Sequence, residues 1–177
     1  MPNNSFFRDP RVQFKKRGPS ISEPEIAAAI PESFVGKKEF IRFYLRHNGG
    51  YFKDFAFIYR DAFQKVQKGQ VNSLGIIGFF FIPRKPGDKV QGFRSILEEK
   101  EGLREGYSKN KWVRSFIGSH IPIACDGSGD DHWIEIPTGR IRFLDMESVD
   151  KGPIEVAPSF QEFVSNLLGD WRDEDKI

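Results

Sequence analysis

The sequence predicts an α+β fold: a twisted, mostly antiparallel sheet packed by helices near both ends of the chain. Three observations carry the prediction. Residues 22–46 hold a capped helix start and then an amphipathic stripe, ahead of any strand signal. Residues 116–144 hold three consecutive strand-like segments. A second capped apolar stripe begins at Ser159 and closes the chain.

Taken in order, residues 1–20 read as an N-terminal arm. They are polar and basic, broken by Pro2, Pro10, Gly18 and Pro19, with Phe6, Phe7 and Phe14 available to pack on the domain. Ser22-Glu23-Pro24-Glu25 is a capping box, with Ile21 and Ile26 in the staple positions and Pro31 limiting the helix. Phe40, Ile41, Tyr44 and Leu45 share one face of a helix over 37–46, which Asn48-Gly49-Gly50 terminates. Phe55, Phe57 and Tyr59 alternate in a strand over 51–59, and a short helix is expected within 60–70. The apolar run 76–82 reads as a buried strand ended by Pro83. Phe93, Ile96, Leu97 and Leu103 are spaced for an amphipathic helix over 93–106.

Residues 116–125 read as a strand with a bulge at Gly118, and residues 133–136 and 140–144 as the next two. Ser159-Phe160-Gln161-Glu162 is a second capping box, followed by the stripe Phe160, Phe163, Val164, Leu167 and Leu168 and the stop signal Gly169. The expected organisation is one domain over 21–170, preceded by the arm and followed by an acidic tail at 171–177.

Composition narrows the function. Hydrophobic residues make up 38% and charged residues 29%, enough for one core and too polar for a membrane protein. A net charge of +2 supplies no strong field for nucleic acid or acidic lipid. The basic arm, with Phe14 beside Lys15, Lys16 and Arg17, reads as a solvated tail rather than a nucleic-acid contact. The lone Cys125 rules out an intramolecular disulfide. No apolar run is long enough for a signal peptide or a membrane span, so cytoplasmic residence is expected.

The segment 126–132, Asp-Gly-Ser-Gly-Asp-Asp-His, concentrates acids and a histidine in one loop, which raises a metal-dependent hydrolase as an alternative. Calcium needs carboxylates at fixed offsets and a glutamate at the twelfth position, where Pro137 stands instead. Zinc needs ligand spacing that His47, His120, His132 and Cys125 do not provide. A Cys125 nucleophile needs a base, and His120 falls on the opposite face of the same expected strand. No catalytic residue, metal ligand or cofactor is therefore assigned. The loop reads as a hairpin turn whose glycines take positive φ. Trp112, in a basic segment just before the expected strand, suits a protein-interface anchor.

Three ordered patches carry a family resemblance. They are Ile30-Pro31-Glu32-Ser33 with the helix ending in Asn48-Gly49-Gly50, the strand-turn over 121–130, and the closing segment 154–163. By these the chain resembles the SUKH superfamily, which includes fungal cell-wall-assembly regulators of the Smi and Knr type and many bacterial immunity proteins. Residues 34–38 lengthen the first patch, and Cys125 and Ser128 replace commoner choices. The resemblance implies a single mixed sheet and a protein partner, such as a polymorphic toxin domain that an immunity protein neutralises. A regulatory interaction module is the alternative. It carries over no catalytic residues. Its motif positions read as structural: Pro31, Asn48, Gly49, Gly50, Pro122, Gly127, Gly129, Ser159 and Phe160. The expected partner contacts are the local acids Asp126, Asp130, Asp131 and Glu135, together with Trp112.

Overall fold

The structure is a computed structural model that describes residues 6–172. Seven strands form one sheet in chain order: β1 (Phe14–Arg17), β2 (Gly50–Tyr59), β3 (Ser73–Phe79), β4 (His120–Cys125), β5 (Asp131–Glu135), β6 (Ile141–Leu144) and β7 (Ile154–Ala157). Every neighbouring pair is antiparallel. Among the described residues, the one parallel contact is an isolated bridge between Phe81 and Ser95. Five helices accompany the sheet: α1 (Glu23–Ala29), α2 (Lys37–Arg46), α3 (Ile96–Gly106), α4 (Lys111–Ser119) and α5 (Phe160–Ser165). The architecture is α+β.

Alternation along β5 divides the interior in two. His132 and Ile134 face the main core, where Ile26 of α1, Phe40, Phe43 and Tyr44 of α2, and Phe160 and Phe163 of α5 pack on one side of the sheet. Trp133 faces the other side, where Leu103 of α3 and Val113, Phe116 and Ile117 of α4 cover it with Leu144 and Val149. Phe43 is the hub of the main core. Its ring lies within 6.3 Å of those of Phe6, Phe7, Tyr44, His47, Phe79 and Phe160.

Local signals explain most of the elements. Ser22 and Glu25 form the expected box on α1, and Ser95 and Glu98 form an unanticipated one on α3. At α5 the Ser159 hydroxyl accepts from the Glu162 amide at 3.1 Å, while the Glu162 carboxylate turns to Asn166. That helix ends at Ser165, and Leu168 instead pairs with Phe57 at the flank of β2.

Four expectations are corrected. Residues 111–119, read in part as a strand with a bulge at Gly118, form α4. Asn110 caps that helix by accepting from the Val113 amide at 3.1 Å, and Val113, Phe116 and Ile117 make its buried stripe. Trp112 accordingly stands in the first turn of a helix. The 76–82 run forms a strand only to Phe79, because Asn48 and Tyr44 take over the backbone of Phe80 and Ile82. The helix expected within 60–70 is a single 3-10 turn, Arg60–Ala62.

The segment read as an arm supplies β1 and buries Phe7 and Val12; the Phe7 and Phe14 rings pack on both His47 and Phe52. Residues 1–5, and the tail acids Asp173, Glu174 and Asp175, lie outside the described residues.

The outer margins of the sheet are distinctive. β1 carries a bulge and exposes Lys15, Lys16 and Arg17. On β7, the carbonyl of Glu155 accepts from Arg60 Nε at 2.7 Å and from Gln64 Nε2 at 2.9 Å.

Candidate functional site

The 126–130 segment joins β4 to β5, and its chemistry is that of a turn. Asp126 Oδ1 accepts from the backbone amides of Ser128 at 2.8 Å and Asp130 at 3.2 Å. Asp130 Oδ1 accepts from the Met146 amide at 2.8 Å, which ties the turn to the end of β6. Gly127 and Gly129 have φ of 96° and 106°, the left-handed region where only glycine is unstrained. Asp126 and Asp130 stay partly exposed.

Asp131 is not at the surface. It is 1% exposed and lies against Glu99 of α3, which Arg94 holds at 2.7 Å. Burial first, and then the neighbouring Glu99 carboxyl, push the Asp131 pKa far above the carboxylate range. That direction favours the protonated form of Asp131, which can donate toward the neighbouring Glu99 carboxyl. Sequence reading missed this because Glu99 is 32 residues earlier on another element.

Between the ordinary aspartate range and the raised folded value, the native state holds a proton that the unfolded chain has released. Stability contributed at this site is therefore lost as pH rises through that window. Asp131→Asn supplies a neutral donor at every pH. It is expected to stabilise the fold at pH 8 by on the order of 1–3 kcal/mol, with less gain at pH 5. Urea unfolding of both chains at the two pH values checks this, and a pH-independent difference contradicts it.

The other chemical candidates are similarly absorbed. Burial pushes the Cys125 thiol up to about 12, the wrong direction for a nucleophile. His132 is fully buried between Phe143 and Phe163, and burial lowers its pKa to about 3. His47 sits within the Phe6, Phe7, Phe14 and Phe43 rings, and burial lowers it to about 4. Among the described residues, no group of three or more His, Cys, Asp or Glu side chains is placed to hold a metal ion.

The motif residues hold backbone. Ile30, before Pro31, is extended, as a residue preceding proline prefers, and α1 stops there. Asn48 is 3% exposed. Its Oδ1 accepts from the Ile82 amide at 2.7 Å, and its Nδ2 donates to the Pro19 and Ile82 carbonyls at 2.9 Å each. At Gly49, φ is 69° and a Cβ would lie 2.6 Å from the Phe80 carbonyl oxygen; at Gly50 it would lie 2.2 Å from that of Lys16. Pro122 stands opposite Trp133 in β4, beside a register irregularity. Phe160 packs on Phe40 and Phe43.

Two of the expected partner contacts come together. Trp112 and Glu135 line an open cleft of about 330 Å³ between α4, β5, β6 and Pro153, shared with Phe116, His120 and Arg142. The Trp112 ring stacks on Phe116 at 5.5 Å, and Phe116 stacks on His120 at 3.8 Å. His120 Nδ1 donates to the Phe116 carbonyl at 2.8 Å, which fixes the column. Trp112 remains 40% exposed at its top. At the far wall, Arg142 bridges Glu135 at 3.3 Å and Glu155 at 3.2 Å. Sequence reading found Trp112 and Glu135 but not His120 or Arg142, because the contacts depend on residues 116–119 being helical.

Residues 37–166 match the model of the SMI1 / KNR4 family (SUKH-1), from the first residue of α2 to just past α5. No curated protein and no solved structure shows significant similarity to the chain.

Proposed function

Because the chain belongs to the SMI1 / KNR4 family (SUKH-1), we propose that it is a non-enzymatic, cytoplasmic protein-binding domain that neutralises a cognate toxin by covering the toxin's active site. Family membership supports a protein-interaction role. One structural observation carries the reading further. Trp112 is held half-open on a rigid ring stack, beside charges already fixed in pairs. A preorganised aromatic anchor with a polar rim is what concentrates binding energy at protein interfaces. No helix among the described residues is long and apolar enough to cross a membrane.

The test is a binding titration against the product of a toxin gene adjacent to this one, paired with protection of cells expressing it. Trp112→Ala is expected to weaken binding by at least about tenfold, roughly 1.4 kcal/mol or more. Its fold should persist, since Trp112 lies on the surface. Tight binding unchanged by Trp112→Ala moves the interface elsewhere. Absence of both binding and protection removes the toxin-neutralising reading.

A further inference from the structure

The face of the sheet carrying α3 and α4 is covered only in part. Those helices pack over β4 and its neighbours, while β2 and β3 present Phe55, Phe57, Gly75 and Ile77 beside them. Phe55 is 57% exposed, and Trp171, which meets the Phe57 ring edge-on at 5.2 Å, is 58% exposed. Phe55 and Phe57 stack at 6.5 Å. Gly75, opposite Phe57 in the ladder, leaves the strip flat, for a Cβ there would only touch the Phe55 ring at 4.0 Å. An exposed apolar surface of this kind marks an interaction site.

The charges beside the strip differ in sign on its two sides. Toward β1 stand Lys53, whose amide donates to the Gln13 carbonyl, and the exposed Lys15, Lys16 and Arg17. No salt bridge among the described residues engages these four. Asp54 is the exposed acid on that side, and Arg11 and Asp170 pair with each other. Toward β4 stands the Asp126–Asp130 turn, seated on the strip itself. A Cβ on Gly127 would come within 3.2 Å of Ile77.

Such a face is complementary to itself. A two-fold axis parallel to the strands lays rings on rings and brings each copy's basic side against the other's acidic side. We infer that this face pairs with a second copy of the chain, with Phe55, Phe57 and Trp171 at the centre and Lys53 facing the Asp126–Asp130 turn across the interface. The pairing leaves the Trp112 cleft unused and does not depend on the proposed function.

Sedimentation velocity of the full chain over a concentration series tests it. A dimer is expected, and Phe55→Ser, at an exposed position the fold does not need, is expected to raise its dissociation constant by at least about tenfold. Lys53→Gln and Asp126→Asn, the latter keeping the turn's acceptor oxygen, should each weaken it. The double variant should weaken it less than the product of the two single effects, because the residues face each other. A monomer throughout overturns the proposal. So does a dimer indifferent to Phe55→Ser, or a monomer whose Phe55→Ser variant loses affinity for a different protein.

Discussion

Phe43→Ala is expected to destabilise the fold by about 3–5 kcal/mol, the largest effect of any single truncation in the main core. The side chain is fully buried where α2, α5, β3 and the N-terminal segment converge, so its loss opens a cavity that several rigid rings border. Those rings are fixed by three different elements, which limits collapse into the space. A loss of that size is a large fraction of the stability of an ordinary domain. Urea unfolding followed by circular dichroism measures it. Leu45→Ala on the same helix, at an exposed position, should stay within about 0.5 kcal/mol of the parent, separating cavity cost from helix propensity.

Asn48→Ala is expected to cost about 3 kcal/mol, since three hydrogen bonds vanish and two backbone groups of Ile82 lose their partners inside the protein. The amide is irreplaceable because it accepts from one amide and donates to two carbonyls at once. Asn48→Asp is the informative companion. A carboxylate can still accept from the Ile82 amide but would face the Pro19 and Ile82 carbonyls without protons to offer. Its loss should match or exceed that of Asn48→Ala at neutral pH and shrink as pH falls toward the aspartate range. Parallel unfolding curves at pH 4.5 and 7.5 measure the difference. An Asn48→Ala chain as stable as the parent would mean that Ile82 finds other partners.

The sequence carried the fold class because its strongest signals are local. Ser22 and Ser159 cap within three residues, and the helical period over 37–46 announces α2, although Phe43 rather than Leu45 stands on its buried face. β1 and β7 escaped notice because four-residue edge strands take their identity from a partner. Phe14 reads as a strand only beside Phe52, and Glu155 only beside Arg142. Residues 116–119 misled for a different reason. An apolar run continuous with β4 hides the change of period, which the Asn110 cap decides.

The candidate site was half legible. Trp112 and Glu135 stood out by type, but whether an acid lies in solvent or in the interior is a tertiary fact. Asp130 and Asp131 are adjacent in sequence; alternation sends Asp131 inward to Glu99 while Asp130 ends in the turn.

The treatment of the two terminal strands has a consequence for misassembly. A free strand margin offers a row of unspent amides and carbonyls on which another chain can crystallise as an added strand, the first step toward cross-β aggregates. Here one margin is short, kinked by its bulge and studded with lysines, while on the other the Glu155 carbonyl is occupied by Arg60 and Gln64. Both features oppose the addition of a further strand at the margins of the sheet.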